Sequence, residues 1–248
     1  MVNKITCEES LTNFYKKVSQ DMQRPDLLGK TAQVTPNQFK RVYSIAKDIA
    51  EILNIVVPDI FVYQDVYYRA DVDGLDVPWI EISAKLIEDF TDDELKFVLG
   101  KLFASIQCKH NKHEAISKAL NDVTGYIGVI DSFHMLDAYK LNLMPTINSW
   151  RRCVCYSTDA CGLLISGSFK ASVSAILKQI LNNSNLVSEI NVKDYIEKST
   201  EIQQMTGKMV EYSKLDEAVP YGPYRLLELL RYASSERCTT VLLELSRG

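Results

Sequence analysis

Between Thr91 and His110 the chain places Leu95, Val98, Leu99, Leu102, Ala104 and Ile106 at helical spacing. Thr91 followed three residues later by Glu94 is a capping box, so a helix is predicted from about residue 92. Ahead of it, short runs over 59–64, 66–72 and 77–83 read as strands, with Asp73-Gly74 turning between the second and third. Helical patterns also cover 8–19, 113–138, 147–166, 168–182, 192–205 and 223–235. Thr35 with Pro36 predicts a further helix start, running to about Asn54. The stretch 239–245 fits strand or helix. Polar, glycine and proline content marks 23–33 and 206–221 as the least ordered segments. The pattern predicts an α+β fold, mostly helical, with a small three-stranded sheet.

Composition narrows the picture little. A chain of 248 residues with 46 % hydrophobic and 24 % charged residues suits one large globular domain, 1–248. A net charge of -4 and no basic run leave no electrostatic footprint for nucleic acid. No apolar stretch is long enough to span a bilayer, and the first residues carry no apolar signal core. A cytoplasmic location is therefore expected. The six cysteines, Cys7, Cys108, Cys153, Cys155, Cys161 and Cys238, then read as free thiols. Cys153 and Cys155 are two apart, about 200° around a helix, and cannot chelate together.

The segment from Thr91 to His110, TDDELKFVLGKLFASIQCKH, resembles the active-site helix of a zinc peptidase family. The family is the HtpX and CAAX prenyl protease group in its single-domain minigluzincin form. The resemblance covers about residues 25–235. Its HExxH motif falls on Lys101, Leu102, Phe103, Ala104 and Ser105. The family's third ligand, a glutamate on a later helix, falls on Cys155, and the aspartate four residues on survives as Asp159. Gly162-Leu163-Leu164, Pro220 and Arg225 fit further framework positions, whereas the family's histidine before that proline is Val219. Strand exit Ile82-Ser83-Ala84 and the strand near Tyr67-Tyr68-Arg69-Ala70 also match.

Zinc hydrolysis needs imidazoles one turn apart and a carboxylate to take a proton from metal-bound water. Lys101, Leu102 and Ser105 supply neither, so the resemblance implies a degenerate peptidase without zinc or another cofactor. The implied function is binding of a protein or peptide partner, or regulation of an active relative, with self-association left open. Tyr68, Arg69 and Ala70 are the candidate peptide edge, competing with plain aromatic cross-strand packing. Asp159 and Arg225 complete the candidate binding set.

Two other readings stay open. One is a hydrolase with unconventional chemistry at Lys101, Ser105, Cys155 and Asp159, which needs an activated thiol. The other is metal retained through other ligands, such as Cys108, His110 and His113; His134 reads as an ordinary imidazole on an amphipathic helix. With zinc gone, Lys101 is expected to pair with Asp159. Removing it would then strand a buried carboxylate, at about 3–5 kcal/mol.

Overall fold

The computed structural model describes residues 21–112, 114, 135–208, 211, 214, 215 and 217–245. The helix expected over 8–19, Cys7, His113 and His134 lie outside them, as does most of the segment 113–138.

Helix α1 (Asp21–Lys30) occupies part of the stretch expected to be least ordered, with Leu27 buried against Phe61 and Trp79. Strand β1 (Ala32–Gln33) follows. Thr35 does not cap a helix. It exchanges backbone hydrogen bonds with Gln38 across a tight turn, and α2 (Lys40–Leu53) starts only after Phe39, whose φ is 56°. The local signal of a threonine before proline was satisfied by the turn instead.

Strands β2 (Asp59–Tyr63), β3 (Ala70–Asp73) and β4 (Trp79–Ser83) complete a sheet of order β1-β2-β4-β3, four-stranded rather than three-stranded. The extra strand is two residues long, too short to leave an alternating pattern. β2 and β4 run parallel, with Ile60 opposite Ile80 and Val62 opposite Ile82, all buried. β3 runs antiparallel to β4 at one end of the sheet. The Asp73-Gly74 turn is as expected. Gly74 has φ 86°, and a Cβ there would lie 2.6 Å from Val77 O.

Ser83 ends β4 and its hydroxyl caps α3 (Ala84–Asp89) by accepting from Leu86 N. Helix α4 (Asp92–Gln107) begins at the capping box: Thr91 N donates to Glu94 Oε2 at 2.7 Å, and Glu94 N donates to Thr91 Oγ1 at 3.4 Å. Leu95, Val98 and Leu99 are buried as their spacing predicts, and so are Phe103 one turn beyond Leu99 and Phe97 on the opposite face. A helix apolar nearly all round is a central one. It lies among the sheet, α2, α5 (Met135–Ser166) and α6 (Phe169–Leu181). Helix α5 continues through Pro145, where the pattern suggested a break between 138 and 147. The chain ends in a short 3-10 helix (Leu186–Glu189), α7 (Val192–Gln204), α8 (Gly222–Ala233) and α9 (Glu236–Leu245). The ambiguous C-terminal stretch is thus helical. No helix among the described residues is long and apolar enough to cross a membrane.

The α4–α5 crossing is close because glycines line it. A Cβ on Gly162 would sit 2.7 Å from Phe97 O and 2.9 Å from Lys101 Cγ, while one on Gly100 would meet Ile165 at 3.0 Å. Gly162→Ala is expected to lower stability by about 1–2 kcal/mol in urea unfolding. Overpacking against a backbone carbonyl outweighs the better helix propensity of alanine.

Candidate functional site

Helices α4 and α5 run antiparallel. Phe97 meets Gly162, Lys101 meets Asp159 and Gly162, and His110 stacks edge-on to Trp150 at 6.0 Å. Ser105 is one turn beyond Lys101, and Cys155 is one turn before Asp159, so the register places these two at the same level of the crossing. The four positions that the family resemblance singles out are therefore gathered at one crossing, although they lie on two separate helices.

Asp159 is the centre of this site. Its side chain is 2 % exposed and carries three cationic contacts. Lys101 Nζ lies 2.5 Å from Oδ1, the pairing anticipated from the sequence. Arg225, the fourth residue of α8, donates Nε to Oδ2 at 2.9 Å and Nη2 to Oδ1 at 3.0 Å, a bidentate fork. Cys155 Sγ donates to Oδ2 at 3.7 Å from the turn before. Burial pushes the Asp159 carboxyl up, but the charges of Arg225 and Lys101 and their hydrogen bonds outweigh it, holding it at about 2. Burial also sets the Cys155 thiol above its ordinary value, with Lys101 pulling the other way too weakly to reverse it. The environment thus disfavours an activated thiolate at Cys155.

The donors present do not fit a zinc ion. Lys101 Nζ is committed to Asp159, Leu102 packs against the core, Ser105 offers a hydroxyl, and only Cys155 is a usual zinc ligand. Of the alternative cluster, His113 lies outside the described residues. Cys108 is exposed at the end of α4, and His110 packs on Trp150. Among the described residues, no group of three or more His, Cys, Asp or Glu side chains is arranged to hold a metal. Val219, at the family's histidine position, is exposed, beside buried Pro220.

The candidate peptide edge is shorter than expected. Of Tyr68, Arg69 and Ala70, only Ala70 lies in β3, paired with Ile82. Tyr68 is buried, edge-on to Phe90, and its backbone N–H donates to Asn182 Oδ1. Its ring partner is the residue that ends α3, not a residue on a neighbouring strand. Arg69 is exposed, over the Tyr67 ring and 3.7 Å from Asp65. An Asn182 side chain from α6's C-cap bonds the backbone of Val66 and Tyr68 where strand pairing was expected, while Arg69 O still accepts from Ser83 N on β4; no local pattern could reveal the Asn182 contact.

A second buried ion pair went unread in the sequence. Lys178 on α6 donates to Glu94 Oε2 and to Asp89 O, both at 2.8 Å, and Ser174 donates to Glu94 Oε1. Asp89 also accepts from Tyr68 Oη at 2.5 Å and from Lys85 Nζ at 3.0 Å. The capping glutamate is therefore also the hub that ties α3, α4 and α6 together. The available signal was a lysine inside the apolar run Ala175-Ile176-Leu177-Lys178-Gln179-Ile180-Leu181.

The chain is similar to plastoglobule-localized metallopeptidase 48, chloroplastic, of Arabidopsis thaliana: 26 % identical over 175 residues, 69 % of this chain and 49 % of that one. It therefore spans about half the length of that distant metallopeptidase relative. No family model matches it, and no solved structure matches it.

Proposed function

We propose that this protein is a pseudopeptidase of the HtpX-like, minigluzincin type. Its cleft binds a protein or peptide segment instead of hydrolysing it. The observation that carries the reading is the Lys101 ammonium on Asp159, at the position that would hold the first zinc ligand. A metal site needs neutral or anionic donors, and here a fixed cation takes the metal's electrostatic place beside a buried carboxylate. The distant metallopeptidase relative supports the scaffold, and the register of Ser105 with Cys155 supports the superposition of the ligand positions. β3, at the end of the sheet with no strand beyond it among the described residues, is the edge along which an extended segment would pair.

The test is to rebuild the site. The double variant Lys101→His, Ser105→His sets two imidazoles one turn apart facing Cys155, a His2Cys set suited to zinc. It is expected to bind one cobalt or zinc ion per chain, with a thiolate-to-cobalt absorption band, while the parent binds none and cleaves no peptide substrate. A folded double variant without metal would remove the scaffold reading. Stoichiometric zinc and proteolysis in the parent would remove the inactive one.

A further inference from the structure

Away from the α4–α5 crossing, α6, the short 3-10 helix and the start of α7 border an open cavity of ≈ 510 Å³. That is within the ~300–1,000 Å³ usual for small-molecule sites. On α6, Phe169, Val173 and Leu177 recur every fourth residue and form one stripe, about 12 Å long. Val187 and Val192 face them from the other wall. The lining is almost wholly apolar, apart from serine hydroxyls and one cation, Lys170. Ser174 has already given its hydroxyl to Glu94, whose charge Lys178 balances. Lys170 is different: exposed, on the cavity's wall, and in no ion pair among the described residues.

We infer that this cavity is a binding site for a long-chain monocarboxylate, its alkyl chain along the Phe169–Val173–Leu177 stripe and its carboxylate on Lys170. The match is one unpaired cation at an otherwise apolar slot. A carboxylate at the rim would gain the exposed Lys170 ammonium as a counter-charge, which a neutral alcohol of the same length would not. Each methylene buried in such a slot tightens binding roughly fourfold. Dodecanoate should therefore bind well over tenfold more tightly than octanoate. The site is independent of the pseudopeptidase reading, since none of its residues touches Asp159.

Calorimetric titration of the full chain with octanoate, dodecanoate and dodecanol tests it. One saturable site is expected, preferring dodecanoate to both of the others. Lys170→Glu, a surface change that leaves the core alone, should weaken dodecanoate at least tenfold and leave dodecanol unchanged. Val187→Trp should fill the cavity and remove both, with an unchanged melting temperature showing that the variant is folded. Equal affinity for dodecanol and dodecanoate, undiminished binding in folded Val187→Trp, or no saturable binding would overturn the inference. So would a dimer that dissociates in Val187→Trp, since a second copy would then be the occupant.

Discussion

Asp159→Asn is expected to be the most damaging single polar substitution in the protein, costing about 3–5 kcal/mol in denaturant unfolding. The change removes the anion between two cations, and neither Lys101 nor Arg225 can move far: their side chains are 16 % and 7 % exposed. Adding Lys101→Met to Asp159→Asn should recover part of the loss, because one stranded charge is gone. Lys101→Met alone is expected to cost less than the 3–5 kcal/mol that the sequence implies. The Arg225 fork still neutralises Asp159, leaving a loss of about 1.5–3 kcal/mol for one charged hydrogen bond. Stability equal to the parent in Asp159→Asn would show that the cluster contributes nothing to the fold.

The pH dependence follows from the same carboxyl. Its folded value, about 2, lies below its ordinary 3.8. Its stabilisation is thus fully present above about pH 4 and lost as pH falls towards 2, on the order of 2–3 kcal/mol in all. In Lys101→Met the folded value rises, since one of the two opposing charges is gone. The acid unfolding limb should move to higher pH.

Lys178→Met is expected to cost about 3 kcal/mol, at the lower end for breaking a buried ion pair. Glu94 is 5 % exposed at its side chain and would lose its cation, but it keeps the Ser174 hydroxyl and the Thr91 N–H. Burial raises the Glu94 carboxyl, and Lys178, Ser174 and Thr91 together lower it below its ordinary range. Its stabilisation is therefore present above the unfolded value and lost as pH falls through the folded one. Lys178→Met should thus begin to unfold at higher pH than the parent, and Glu94→Gln in the same chain should restore part of its stability. Thermal melts of the two single variants and the double variant, taken across pH 2–7, check both points. Full stability in Lys178→Met at neutral pH would contradict the pairing.

What the sequence determined by itself was local. The Thr91–Glu94 box fixed the start of α4 because both bonds lie within one turn, and the Asp73-Gly74 pair fixed its turn because only glycine adopts that backbone without strain. Periodicity placed α6, α7 and α8 within a residue or two. The pairing of Lys101 with Asp159 was legible only through a family resemblance that aligned two distant helices. Tertiary structure decided what depends on distant partners. Gln33 and Ala32 became a strand only because β2 offered an edge, Tyr68 left the sheet because Asn182 took its backbone, and Glu94 became a buried hub because Lys178 reached it from α6. Arg225 joined Asp159 from 66 positions away. Periodicity reports which face of an element is apolar, but not which element will cover it, and a buried charge is settled only by the partner that arrives there.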